Sequence, residues 1–241
     1  MKKTSKKSMP KSVNSKKNND YKCNTRPSKV LHYNGLKKID GRCVCVVENM
    51  VINLEKVAEL LLSSILFFNE AAAYNDDHHT KTQAVRDLAR AYHVYRTIKD
   101  ILHPGSSSTI LEEFRQYDEE LYRLVEDEDT VSQLVNISRE ECEVPENPRI
   151  SIGNERIDMN YLSDLIEWGF RSLVIGLDDK EDYENFSSTA FAGCIMVTQL
   201  RRMDIEEATA YIIDELGSHG KTCIEYYFGM LTIGKKDMMV S

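Results

Sequence analysis

The sequence predicts an all-α protein, mainly helical with one or two short β-hairpins, behind a disordered basic N-terminal arm. Three observations predict this class. Apolar residues recur at helical spacing from residue 53 onward, β-branched residues alternate only in short segments, and residues 1 to about 38 contain almost no apolar side chains. The predicted division is a disordered basic arm over 1–40, an N-terminal helical lobe over 41–140, a C-terminal helical lobe over 149–234 and a tail over 235–241.

Charge divides the 241-residue chain sharply. Residues 1–42 hold 13 basic and 2 acidic side chains, a balance of +11, whereas the remaining residues hold 18 basic and 37 acidic, a balance of −19. An arm this polar cannot bury enough surface to offset the entropy of ordering, so we expect it to be disordered when free. Three functions stay open for it: binding nucleic-acid phosphates, targeting, or resting on the acidic body as a tethered counter-charge.

The phosphate-binding interpretation makes the cations of the arm candidate contacts to nucleic acid, with RNA favoured over DNA. These candidates are Lys2, Lys3, Lys6, Lys7, Lys11, Lys16, Lys17, Lys22 and Arg26.

No membrane segment is expected, because the most apolar run, Leu60–Phe68, is about half the length that a bilayer requires. Six cysteines without a framework spacing indicate reduced thiols in cytoplasm or nucleus, and no apolar segment follows Met1 to suggest secretion.

The N-terminal lobe begins with an alternating β-branched segment, Arg42–Ile52, which predicts a hairpin that turns at Glu48–Asn49. Asn53 is placed to cap a nearly all-apolar core helix that ends at Tyr74. An amphipathic helix over Thr80–Leu102 follows a short polar connection, so the two helices should form an antiparallel hairpin.

Four residues at the start of this lobe invite a zinc site: Cys23, His32, Cys43 and Cys45. Their spacing lacks the paired C-x2-C unit that shapes structural zinc sites. We therefore predict no metal and no cofactor.

The middle of the chain predicts one further helix and a linker. Thr109 opens a capping box with Glu112, and the helix that follows would bury Ile110, Phe114, Tyr117, Leu121 and Leu124 beneath a densely acidic outer face. The segment Ser138–Pro148 is the expected linker between the lobes.

The C-terminal lobe repeats the local design of the first, because a strand, a turn and a capping residue again precede a core helix. With an offset of 105 residues, Asn53 corresponds to Asp158 and Leu60 to Leu165. Duplication of one unit and chance use of a common local pattern both remain open.

Three more helices complete this lobe. They are predicted over Ser188–Arg202, from Asp204 to Leu216 and over Thr222–Leu231. Trp168, on the core helix of the lobe, is expected to be buried.

The amphipathic helix of the N-terminal lobe carries a basic stripe of Arg86, Arg90, His93 and Arg96 along one side of an otherwise acidic body. The stripe could bind phosphates together with the arm. Alternatively, its arginines could pair with the acidic helix after Thr109. The sequence does not decide between these interpretations.

The segment from Arg86 to Tyr95 also resembles the R-x4-6-H motif of HEPN-type ribonucleases, with Arg86 and His93 in the two motif positions. The resemblance covers about ten residues. It implies an all-helical enzyme that cleaves RNA without a metal, in which Arg86 would hold a phosphate and His93 would handle the proton of the 2′-hydroxyl.

Three hypotheses follow, and a non-enzymatic role is favoured. The first is a nucleic-acid-binding protein of the packaging or coat type that oligomerises and contacts phosphates without sequence readout. The second is a helical scaffold or regulator that binds another protein. The third is the metal-independent ribonuclease.

Overall fold

We describe the fold from a computed structural model, which covers residues 33–47, 50–144, 146–175 and 183–238. The fold is mainly helical, with two small antiparallel sheets, as the sequence predicts. The strands are β1 (Tyr33–Ile39), β2 (Arg42–Val47), β3 (Met50–Asn53), β4 (Arg149–Ile152) and β5 (Glu155–Asp158). The helices are α1 (Leu54–Tyr74), α2 (His78–Leu102), α3 (Ser107–Tyr117), α4 (Glu119–Glu126), α5 (Glu128–Cys142), α6 (Met159–Ile175), α7 (Tyr183–Leu200) and α8 (Ile205–Met238).

The first sheet has the order β1-β2-β3. The predicted β2–β3 hairpin is confirmed, because Val47 pairs with Met50 across the expected turn. Strand β1 was not predicted: residues 33–39 belong to the predicted arm, yet they pair with β2 through a tight turn at Asp40 and Gly41. The folded part of the chain therefore begins at or before residue 33, while the arm residues 1–32 lie outside the described residues.

Helices α1 and α2 form the predicted antiparallel hairpin. The side chain of Asn53 accepts hydrogen bonds from the backbone N–H groups of Glu55 and Lys56, so the predicted cap is confirmed. Helix α2 begins two residues earlier than predicted. The reason is that Asp77 caps it by accepting from the Thr80 N–H at 2.9 Å.

The predicted helix after Thr109 is in fact two helices. Asp118 ends α3 and caps α4, because its carboxylate accepts from the backbone N–H groups of Glu120 and Leu121. The predicted capping box at Thr109 is wrong, since Ser106 precedes the first turn of α3 and makes no side-chain capping bond. The break also turns Tyr117, which we expected to be buried, outward.

Helix α5 was not predicted from the sequence, and it occupies part of the predicted linker. Val131 and Val135 bury its inner side, and Ser138 lies fully buried 2.9 Å from the hydroxyl of Tyr161. The connection between the halves is thus reduced to residues 143–148. Asp158 fixes it, because one carboxylate oxygen accepts from Asn147 Nδ2 at 2.9 Å while the other caps α6.

The second half repeats the element order of the first with a constant offset. Strand β5 begins 105 residues after β3, α6 begins 105 residues after α1, and α7 begins 105 residues after α2. The shared local design that the sequence predicts is therefore present in three dimensions. Helix α8 departs from prediction in continuity and in length. Its two predicted segments meet at a kink at Gly217, where φ is +57°, and the helix continues past the predicted end at Leu231 to Met238, within the predicted tail.

The two halves share one hydrophobic core, in which α1 and α6 cross. At the crossing, the Ser64 hydroxyl donates to the Leu165 carbonyl at 2.5 Å, and Gly169 lies directly against the Leu60 carbonyl. Trp168 does not join this core as predicted. Its side chain stacks on Phe67 at the protein surface and is 40% exposed, because its position on α6 is turned away from the crossing.

Among the described helices, α1 alone is long and apolar enough to cross a membrane by length and composition. Core helices of soluble proteins pass the same test. Residues such as Leu60, Leu61 and Ile65 are fully buried against the rest of the protein, so α1 functions here as a core helix.

Candidate nucleic-acid interface

The predicted basic stripe lies on the side of α2 that faces α5 and the β4–β5 hairpin. Each of its four members contacts a carboxylate. Arg86 pairs with Glu141, Arg90 with Glu143 and Glu155, His93 with Glu155, and Arg96 with Glu128. The stripe is therefore largely neutralised within the protein. The alternative that its arginines pair with the acidic segment after Thr109 holds for Arg96, whose partner Glu128 belongs to that segment. The partners of Arg86, Arg90 and His93 lie further along the chain, at the end of α5, in the 143–148 connection and on β5.

Arg90 is the most enclosed member of the stripe. Its side chain has no exposed surface, and its Nη2 lies 2.6 Å from Oε1 of Glu143, which is also buried. A second nitrogen, Nη1, lies 3.4 Å from Glu155. The prediction that Arg90 contacts phosphates is wrong in this fold, because a guanidinium with no exposed surface cannot reach a polyanion.

His93 and Arg139 converge on Glu155. Nε2 of His93 lies 2.9 Å from Oε1 of Glu155, and Arg139 pairs with the other carboxylate oxygen. His93 and Arg139 hold the pKa of Glu155 at about 2, well below its ordinary value of 4.5. The His93 side chain is 33% exposed, but its Nε2 atom is buried against Glu155.

Arg86 and Arg96 are the outer members of the stripe. Each is partly exposed, and their partners Glu141 and Glu128 are more exposed still. Ion pairs of this kind contribute little and exchange readily with other anions. For Arg86, His93 and Arg96, phosphate binding thus stays a prediction.

Arg86 and His93 do not converge on one group, although the ribonuclease resemblance places both at an active site. They lie about 10 Å apart along the axis of α2, and each binds a different carboxylate. The structure therefore brings His93 together with Glu155 and Arg139. Neither of these two partners was predicted from the sequence as a functional residue.

The predicted arm contacts, Lys2 to Lys22 and Arg26, lie outside the described residues. The described chain adds a feature that was missed at this end. The turn between β1 and β2 exposes three cations, Lys37, Lys38 and Arg42. The sequence did contain a signal, because these cations continue the run of positive charge in the arm. Since residues 33–39 were expected to be unstructured, the hairpin that brings the three cations together was not predicted.

The opposite charge is concentrated on α3, α4 and α5. This acidic surface consists of Glu112, Glu113, Asp118, Glu119, Glu120, Glu126, Asp127, Glu128, Asp129, Glu140 and Glu141, among which only three arginines are interspersed. Several of these carboxylates cap helices, as Asp127 does for α5. The hydrogen bonds from the Thr130 side chain and N–H keep the pKa of Asp127 below its ordinary value, so this carboxylate is ionised at neutral pH.

The described residues contain no group of three or more histidine, cysteine, aspartate or glutamate side chains placed to hold a metal ion. Two members of the considered zinc set, Cys23 and His32, lie outside the described residues. Burial raises the pKa of the Cys45 thiol to about 11, and the thiol donates to the Ser151 carbonyl at 3.6 Å, so Cys45 is a protonated core residue.

Comparison with known proteins adds no independent assignment. No family model, no curated protein and no solved structure matches this chain. Its function is therefore argued from its charges and contacts alone.

Proposed function

We propose that this protein is a non-enzymatic nucleic-acid-binding protein of the packaging or coat type, which contacts phosphates through its N-terminal segment without reading sequence. The division of charge carries this proposal: residues 1–42 have a balance of +11 and the rest of the chain −19. Cations that neutralise phosphates release condensed counterions, which supplies affinity irrespective of sequence. RNA is the favoured partner.

The contacts of α2 indicate which cations of the chain are available to nucleic acid. Because the cations of the stripe already have carboxylate partners, the excess positive charge available to a polyanion is concentrated at the N-terminal end. The acidic surface of α3 to α5 repels phosphates and would restrict nucleic acid to that end. It would also attract the basic segment of a second copy, so we further propose that the protein forms homo-oligomers.

A cytoplasmic or nuclear location fits this function. The described cysteines, Cys43, Cys45, Cys142, Cys194 and Cys223, are all free thiols. Free thiols are characteristic of reducing compartments.

Salt-dependent binding to single-stranded RNA tests the proposal. In a full-length variant, all nine arm cations from Lys2 to Arg26 are changed to Gln. We expect the slope of log affinity against log salt to fall by about 0.7 for each phosphate that the variant no longer neutralises. A control variant changes Lys81, Arg156 and Lys221 of the folded part to Gln and should change the slope little. An unchanged slope in the arm variant would contradict the proposal and favour the scaffold alternative.

RNA cleavage is the second candidate function, because His93 is partly exposed and contacts Glu155. A carboxylate beside an imidazole can orient it for proton transfer. Metal-free cleavage of RNA that is abolished in His93→Ala and retained in His103→Ala would support this alternative. If the two variants had equal cleavage activity, the ribonuclease alternative would be wrong.

A further inference from the structure

The β1–β2 hairpin projects from the protein as a two-stranded ribbon. Val44, Cys45 and Val46 are buried at its base, whereas every residue from 36 to 42 is exposed. The ribbon turns through Asp40 and Gly41, whose φ angles are +50° and +80°. Two consecutive positive φ angles are typical of the tight hairpin turns that match the twist of the strands, so the tip is a defined structure.

The register assigns the side chains of the tip to two faces. Ile39 lies directly opposite Arg42, and Lys37 lies two residues before Ile39 on β1. Because side chains alternate along a strand, Lys37, Ile39 and Arg42 share one face, which presents two cations around an exposed aliphatic group. Lys38 and Leu36 lie on the other face.

These cations differ from most arginines of the fold. Nine arginines elsewhere, from Arg86 to Arg201, have carboxylate partners within 4.0 Å. Within the described part of the chain, Lys37, Lys38 and Arg42 have none, and Asp40 is the one acidic side chain of the ribbon tip. Their charge is therefore not used to hold the fold together.

We infer that the ribbon is a folded contact site for single-stranded RNA. The inference rests on the proposed function and deepens it. Lys37 and Arg42 neutralise successive backbone phosphates, and Ile39 packs against the sugars and bases between them. A single strand is the expected substrate, because the major groove of duplex RNA is too narrow to admit a ribbon.

A pair of full-length double variants tests the inference. The first carries Lys37→Gln and Arg42→Gln. The control carries Arg156→Gln and Lys221→Gln, which remove the same charge from exposed positions away from the ribbon. Binding to fluorescent oligouridylate is measured between about 50 and 200 mM salt. We expect the salt slope to fall by about 1.4 in the first variant, because two phosphates are no longer neutralised, and by much less in the control.

A third variant, Asp40→Asn, should have the opposite effect. It removes the negative charge between the two cations, and asparagine tolerates the positive φ at this position. We expect tighter RNA binding and a steeper slope than in the natural sequence.

Three results would overturn the inference. If the natural chain binds RNA with a salt slope that depends on the arm, while the ribbon variant behaves like its control, the proposed function stands and the ribbon site is wrong. If the chain instead binds vesicles that contain phosphatidylserine, and Ile39→Ser abolishes that binding without affecting RNA, the ribbon is a membrane contact. Absence of salt-dependent RNA binding in the natural chain contradicts the proposed function and the ribbon site together.

Discussion

Arg90 shows, at the scale of one residue, that a cation expected from the sequence to bind a ligand can instead form ion pairs within the fold. It is enclosed by Glu143 and Glu155, and its Nε finds no acceptor among the described residues. Burying such a pair costs desolvation energy that the mutual attraction only partly offsets. The contacts of Arg90 therefore fix how α2, the 143–148 connection and β5 fit together more than they add net stability.

Replacing Arg90 with Ala should destabilise the protein severely, because the buried Glu143 would lose its closer counter-charge and keep only Arg149, at 3.6 Å. We expect a loss of about 3 to 5 kcal/mol in the free energy of unfolding, measured by urea denaturation. The matched control is Arg115→Ala, which removes an exposed arginine whose pairs with Glu112 and Glu119 should be worth about 0 to 1 kcal/mol. Similar losses of unfolding free energy in both variants would show that Arg90 is not buried between Glu143 and Glu155.

Glu155 predicts a dependence of stability on pH. Its pKa in the folded state is lowered to about 2, so its ionised form stabilises the fold above its ordinary pKa of 4.5, and this contribution is lost as the pH falls toward 2. The stability difference between the natural protein and Glu155→Gln should shrink by about 3 kcal/mol over that interval. Denaturation with urea at a series of pH values measures it.

Asp87 provides a control of opposite sign for this experiment. Burial raises its pKa, although hydrogen bonds from Gln83 and Tyr161 oppose the rise. Its ionised form therefore costs stability at neutral pH, and that cost disappears as the pH falls and the group is protonated. Asp87→Asn should thus gain relative stability at high pH. If the stability of both variants, relative to the natural protein, changed with pH in the same direction, the lowered pKa of Glu155 and the raised pKa of Asp87 could not both be correct.

At the scale of elements, the sequence predicts helices well wherever capping residue and apolar spacing agree. Asn53 and Asp158 place the starts of α1 and α6 correctly, and the predicted start of α8 at Asp204 is fixed by reciprocal capping bonds between Asp204 and Glu207. The prediction fails where a tertiary contact determines the secondary structure. Strand β1 exists through its pairing with β2, and α5 has so polar a surface that only its contact with α2 reveals the buried side.

The candidate site was less predictable than the fold. Periodicity placed Arg86, Arg90, His93 and Arg96 on one side of α2 correctly. It could not reveal that this side faces acidic partners 32 to 65 residues later in the chain, such as Glu128 and Glu155. Charge complementarity between distant segments becomes visible only when the packing of the helices is known.

The crossing of α1 and α6 gives a prediction at this scale. Gly169 and Ser64, which correspond under the 105-residue offset, both lie at the crossing, and each faces a backbone carbonyl of the other helix. A Cβ on Gly169 would collide with the Leu60 carbonyl oxygen and lie 2.8 Å from the carbonyl carbon. Gly169→Ala should therefore separate the helices and lower the free energy of unfolding by about 1 to 3 kcal/mol.

Gly193→Ala is the matched control for the crossing. A Cβ there meets the side chains of Phe170 and Leu60 at 3.0 Å or more, and side chains adjust more easily than backbone. Thermal denaturation should show a clearly larger decrease in melting temperature for Gly169→Ala than for Gly193→Ala. A reversed order would mean that α1 and α6 do not approach as closely as described.

For the whole molecule, the separation of charge matters more than any single contact. The basic N-terminal segment and the acidic surface of α3 to α5 have opposite charge on one chain. Two copies can therefore attract each other through segment and surface, and under the proposed function RNA would compete for the same segment. Self-association and RNA binding should thus be linked through one set of lysines.

This linkage predicts how the oligomeric state responds to salt. We expect light scattering after size exclusion to give a mass above that of one chain, 27.7 kDa, at low salt, and to approach it as salt screens the attraction. A variant with Glu120→Gln, Glu126→Gln and Asp129→Asn should dissociate at lower salt, because it weakens the acidic surface without removing the carboxylate partner of an arginine. Its control changes Glu206, Glu225 and Asp214 of α8 in the same way. If mass were independent of salt and equal in both variants, assembly through opposite charges would be excluded, and the acidic surface would serve only to keep nucleic acid at the N-terminal end.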